Sequence, residues 1–145
     1  MANDKSLIVS KTINADKATI FKALTDEEIM AKWFCAGPDG WSSTVKSNTK
    51  IGGNYQIDMH DGEGVTYTHT GTYKELIPND KIVFSWSSQF VKDTLVTITL
   101  EEVEGGTEVK LVHEFLPNEQ MVENHTGGWK TILERLSGVL ASTSN

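Results

Sequence analysis

The chain has 145 residues, 38% of them hydrophobic, and a formal net charge of −7. That length buries roughly 70% of the surface the unfolded chain exposes, enough for a core without disulfides or metals. The acidic balance argues against nucleic acid or anionic membrane as partner, because both attract basic patches. No window approaches the about 18 apolar residues that a membrane span requires. The single cysteine, Cys35, precludes an internal disulfide and fits a reducing compartment. With no apolar leader in the first residues, the expectation is one cytoplasmic domain over residues 1–145.

Leu7, Val9, Ile13 and Ala15 alternate with Ser6, Ser10, Thr12 and Asn14, a half-buried first strand. Asp16 is placed to cap a short helix whose buried edge is Ile20, Phe21 and Leu24. Thr25 and Asp26 can cap a second helix, which turns Ile29, Met30, Trp33 and Phe34 inward and stops at Gly37-Pro38-Asp39-Gly40.

Strand signals then follow at the spacing of a meander. Trp41, Ser43 and Val45 open it. Gly52-Gly53 precedes Tyr55, Ile57 and Met59, and Asp61-Gly62-Glu63-Gly64 makes a turn. Thr66, Thr68, Thr70 and Thr72 occupy every second position, as on a solvent-facing sheet surface. Tyr67, His69, Gly71 and Tyr73 then face the other way, barring a bulge at Gly71. Pro78-Asn79-Asp80 leads into Ile82, Phe84 and Trp86, followed by Val96, Ile98 and Leu100, then Gly105-Gly106, then Val109, Leu111 and His113. Pro117-Asn118 closes the sheet and starts a helical region.

In that region Trp129, Ile132, Leu133, Leu136 and Leu140 form one apolar stripe, with Met121, Val122, His125 and Gly128 on the same face upstream. Gly127 and Gly128 each cost about 1 kcal/mol in a helix interior relative to alanine. Either the helix begins there, or the missing side chains leave room for a ligand or a close sheet. The order of elements is an α+β plan with a terminal helix covering the concave face of a twisted sheet.

This order, with these residues, resembles the START-like or SRPBCC superfamily, the helix-grip fold shared with birch-pollen-allergen-type proteins. Within it the chain resembles the family named for the activator of heat-shock-protein-90 ATPase. The matching pieces are Ala-Leu-Thr-Asp (23–26) leading to Lys-Trp-Phe (32–34), Gly-Gly-Asn-Tyr (52–55), Gly71 with Tyr73, and Val-Phe-Ser-Trp (83–86). Gly-Gly-Thr-Glu-Val (105–109) with His113, and His-Thr-Gly-Gly-Trp (125–129) with Leu133 and Leu136, complete an ordered set. It runs from about residue 7 to 141. The usual proline after the first strand is replaced by Asp16-Lys17. The resemblance implies a curved antiparallel sheet of six to seven strands wrapped around a long C-terminal helix, with two short helices after the first strand. It also implies a cavity between sheet and helix that takes small apolar or amphipathic molecules. It brings no universal catalytic residue.

On that reading the cavity lining is Tyr55, Ile57, Met59, Tyr67, His69, Phe84, Trp86, Val96, Ile98, Leu111 and His113 from the sheet. Gly128, Trp129, Ile132 and Leu136 close it from the helix, and Trp33 and Phe34 from the mouth. An aromatic lining with a few polar groups is the composition of a ligand pocket; the competing reading is a filled core. His113 and His69, if buried, are neutral rings that either meet a ligand or bond to their own surroundings. His125 could reach the entrance or pack near the helix start. His60, in Asp58-Met59-His60-Asp61, fits no metal motif and reads as part of a solvated turn. Cys35 has only Lys32 near it in sequence and reads as a packing residue. No Ser-His-Asp order, phosphate-cradling loop or dinucleotide fingerprint is present, so no cofactor, metal or catalytic residue is expected. Three functions stay open: a binder of a small hydrophobic or amphipathic molecule, a co-chaperone docking on a large ATPase, and a cyclase- or dehydratase-like enzyme using His69, His113 and Tyr67.

Overall fold

A computed structural model describes residues 5–38 and 40–143. Strand β1 (Lys5–Ile13) is followed by helices α1 (Lys17–Thr25) and α2 (Glu27–Trp33). Six more strands come next: β2 (Ser42–Ser47), β3 (Asn54–His60), β4 (Thr66–Ile77), β5 (Lys81–Trp86), β6 (Thr94–Val103) and β7 (Gly106–Leu116). Helix α3 (Glu119–Thr143) ends the order. All seven strands form one antiparallel sheet in the order β1-β7-β6-β5-β4-β3-β2. This is the α+β helix-grip fold.

The local signals act as the sequence predicts. The Asp16 carboxylate accepts from Thr19 N–H and caps α1, and the Asp26 carboxylate accepts from Glu28 and Ile29 N–H and caps α2. Both groups satisfy donors that a helix start leaves unpaired. Helix α2 ends before the Gly37–Gly40 quartet, of which Asp39 lies outside the described residues. Asp61 ties the β3–β4 turn by accepting from Glu63 and Val65 N–H. Gly62 and Gly64 there take positive φ of 80° and 96°, a region side chains disfavour.

The register brings Tyr55, Ile57 and Met59 of β3, Phe84 and Trp86 of β5, Val96 and Ile98 of β6, and Leu111 and His113 of β7 to the inner face, all buried. Thr66, Thr68 and Thr70 face solvent. The irregularity in β4 falls between Tyr73 and Glu75 rather than at Gly71, where the strand passes from pairing with β3 to pairing with β5. Gly71 has a different duty. A Cβ there would meet the Ser85 carbonyl oxygen and the Tyr55 ring, so only glycine lets Tyr55 reach across and donate its hydroxyl to Ser85.

Helix α3 lies across the concave face and buries Trp129, Ile132, Leu133, Leu136 and Leu140. Each such side chain contributes roughly 1.5–3 kcal/mol of burial. The helix begins at Glu119, with Asn118 Oδ1 accepting from Met121 N–H as its cap. It does not begin at Gly127-Gly128, which sit in its interior. A Cβ on Gly127 would meet nothing within 4 Å, whereas one on Gly128 would rest 3.4 Å from the Ala36 Cβ. Gly127 therefore costs helix stability with no packing return. Replacing Gly127 with alanine is expected to stabilise the protein by up to about 1 kcal/mol in thermal or denaturant unfolding, while Gly71→Ala destabilises it.

Candidate functional site

The hollow between sheet and helix is unequal along its length. Under α2 it is filled. Leu24, Met30, Phe34, Tyr55, Ile57, Tyr73, Ile82, Phe84 and Ile98 leave only about 10 Å³ between them, barely room for one water. Toward the start of α3 it opens into a pocket of about 200 Å³. Met59 of β3, His69 of β4 and Trp86 of β5 form its sheet wall. Met121, His125, Gly128, Trp129 and Ile132 form its helix wall. Ala36, Ser88, Phe90 and Asn124 rim it, and exposed Phe90 and Asn124 mark where it meets solvent. A shallower depression of about 360 Å³ continues outward past Met59, His69 and Phe90 to Tyr67 and Trp41, whose rings stack with centroids 5.4 Å apart.

An aromatic partition separates the filled part from the open part. Phe34 lies 5.9 Å from Trp86 and 5.7 Å from Trp129 between ring centroids, and the two indoles lie 4.9 Å from each other. Offset and edge-on contacts of this kind are favourable beyond the area they bury.

Behind the partition runs a chain of hydrogen bonds whose direction is fixed by chemistry. An indole N–H only donates. Trp129 Nε1–H therefore donates to His113 Nδ1 at 3.0 Å, which puts the His113 proton on Nε2. That N–H donates to Thr94 Oγ1 at 2.7 Å, and the Thr94 hydroxyl donates to the Trp86 carbonyl at 2.6 Å. His113 is wholly buried, and desolvation, with the nearby His125 ring as second cause, pushes its pKa down to about 3. It is a neutral structural link with both nitrogens engaged, not a group free to meet a ligand.

His69 and His125 differ. His125 sits one turn before Trp129 and its Nδ1–H donates to the Met121 carbonyl at 2.8 Å. His69 stacks on Trp86 at 4.8 Å, and its Nδ1 makes a long 3.4 Å bond to the Ile57 carbonyl. Desolvation lowers the pKa of both, so both rings are neutral at pH 7. Desolvation likewise raises the pKa of buried Tyr55 and Tyr73.

Of the residues the sequence nominates, Met59, His69, Trp86, Gly128, Trp129 and Ile132 line the pocket. Tyr67 lines the outer depression. Phe34, Tyr55, Ile57, Phe84 and Ile98 surround the filled part instead. Trp33, whose Nε1–H donates to the Ala23 carbonyl, is buried in the core, as are Val96, Leu111, His113 and Leu136. His69, His113 and Tyr67 do not converge on one void. His60 bonds Thr44 and Thr66 through its two ring nitrogens on the sheet surface, and Cys35 is buried. Sequence reasoning missed Phe90, Ser88, Ala36 and Asn124. Phe90 alone carried a signal, an aromatic within the polar run Ser87-Ser88-Gln89.

A family model described as Activator of Hsp90 ATPase homolog 1-like protein matches residues 14–141. The chain belongs to this family. Among solved structures, a Chromobacterium violaceum protein matches with a TM-score of 0.82 and 25% identity, over 93% of this chain and 96% of that one. A Rhodobacter sphaeroides protein matches with a TM-score of 0.83 and 23% identity, over 99% and 95% of the two chains. An AHSA1-like protein from Aeromonas hydrophila matches at 0.82 and 18%, over 95% and 93%. These likenesses show the START-like fold. Comparison with curated proteins finds no match. Among the described residues, no helix is long and apolar enough to cross a membrane.

The His113 link gives this family member a pH signature. A histidine with a folded pKa near 3 and an unfolded one near 6.5 is protonated first in the unfolded state. Stability then falls as pH drops through this window, by about 1.4 kcal/mol per unit from this group. Denaturant unfolding between pH 6 and pH 4 is expected to show a slope shallower by that amount in His113→Gln than in the wild type, despite the variant's lower stability overall.

Proposed function

We propose that this protein binds a small, largely apolar molecule in the pocket between β3–β5 and the first half of α3. The observation that carries this reading is the void of about 200 Å³ walled by Met59, Trp86, Trp129 and Ile132 beside an interior packed shut under α2. A void of roughly 150 Å³ with apolar walls already holds benzene, so one or two rings, or an aliphatic chain of similar bulk, fit here. Drug-sized ligands need more room. The family description names an activator of a chaperone ATPase, an activity that requires a protein-docking surface; function is argued from the site present, and here that site is concave and apolar.

Titration with one- and two-ring aromatics and short alcohols tests the reading. A ligand at a hundredfold excess over its Kd stabilises the native state by about 2.7 kcal/mol, a Tm rise of several degrees. Gly128→Leu places its side chain in the pocket, and its fold is expected to survive while the ligand-dependent rise is lost. A wild type indifferent to every such probe, or a leucine variant that keeps the full rise, overturns the assignment.

A further inference from the structure

The polar groups of the pocket point to one class of ligand, an inference that rests on the binding role proposed above. No lysine, arginine, aspartate or glutamate is among the described residues that line it. An ionised ligand would leave water without a counter-charge, which costs far more than a hydrogen bond returns. The ligand is therefore neutral. The polar atoms that remain are few. At the rim, Ser88 Oγ accepts from Phe90 N–H and Asn124 Oδ1 accepts from Gln120, which leaves the Ser88 hydroxyl and the Asn124 amide as donors at the pocket's outer edge.

The two wall histidines differ from these. His125 commits Nδ1–H to Met121 at 2.8 Å, so its neutral ring keeps a lone pair on Nε2, an acceptor with no proton of its own; His69, whose Nδ1 makes only the long 3.4 Å bond to Ile57, is held less firmly in that tautomer. A hydrocarbon leaves the His125 acceptor unmet, a carbonyl or ether brings it no proton, and a hydroxyl supplies one.

We infer that the ligand is a neutral alcohol or phenol on a one- or two-ring apolar skeleton, its hydroxyl hydrogen donated to His125 Nε2. Methionine and tryptophan side chains hold the skeleton, and the histidine selects the group. His125→Leu removes the acceptor at a half-exposed site near the helix start, away from the packed core. His125→Gln restores an acceptor oxygen without a titrating group.

Calorimetric titration of the full chain at pH 7.5 with 2-naphthol, 2-methylnaphthalene and 2-naphthoate separates the possibilities, because the three share a skeleton. The expected result is 2-naphthol binding about three- to tenfold more tightly than 2-methylnaphthalene, the range of one neutral hydrogen bond, with 2-naphthoate weakest. In His125→Leu the ratio falls to near unity; in His125→Gln most of the preference returns. Equal binding of the naphthol and the hydrocarbon, tightest binding of the naphthoate, or a ratio unchanged in His125→Leu overturns this inference and leaves the pocket assignment standing. Failure of all three to bind removes both.

Discussion

One chain of hydrogen bonds holds the terminal helix over the sheet. Trp129 on α3 donates to His113 on β7, His113 donates to Thr94 on β6, and Thr94 donates to the Trp86 carbonyl on β5. Every member is buried, so each bond stands where an unmet partner would cost about 1–3 kcal/mol. The donor-only indole at one end and the acceptor-only carbonyl at the other impose a single proton order. A neutral histidine is the only ring that fits the middle: an imidazolium would set its Nδ1–H against the indole N–H. The same chain draws together the two indoles that wall the pocket.

That clasp explains why the hollow is full at one end and open at the other. Apolar burial favours closing all of it, and under α2 the aromatic and aliphatic side chains do so to within about 10 Å³. Beyond the Phe34–Trp86–Trp129 partition, the helix wall offers Gly128, which contributes no side chain, and His125, which is held back against its own turn by Met121. Sheet and helix are pinned at the indoles and cannot collapse onto this gap. A void persists there because its neighbours are fixed.

Much of this was written in the chain. Capping aspartates at 16 and 26, the alternation through β3 to β7, and the stripe from Trp129 to Leu140 are local patterns with local physical causes, and each element formed where its pattern lay. The site was legible only in part. Alternation assigns Tyr55, Ile57, Phe84, Val96 and Leu111 to the inner face, but inward residues line a filled core and a void alike. What separates the two is the angle at which α2 and α3 close on the sheet, and no periodicity encodes it. His113 shows the same limit, since its place on the inner face was plain but its partners Thr94 and Trp129 are distant in sequence. Phe90, on a loop without period, could be placed only by the fold. Pro117-Asn118 marks the start of the helical region, which the structure puts at Glu119, and the two glycines that offered a second boundary are tolerated in the helix interior.

The central claim is that the open part of the hollow between sheet and helix lies on the Trp86–Trp129 side of the aromatic partition. Two-dimensional ¹H–¹⁵N spectroscopy resolves the indole N–H signals of the protein's tryptophans separately. Saturating the protein with a small aromatic alcohol should move the Trp86 and Trp129 signals and leave that of Trp33, bonded to Ala23 behind the partition, in place. A titration in which the Trp33 signal moves while those of Trp86 and Trp129 stay fixed would contradict the account.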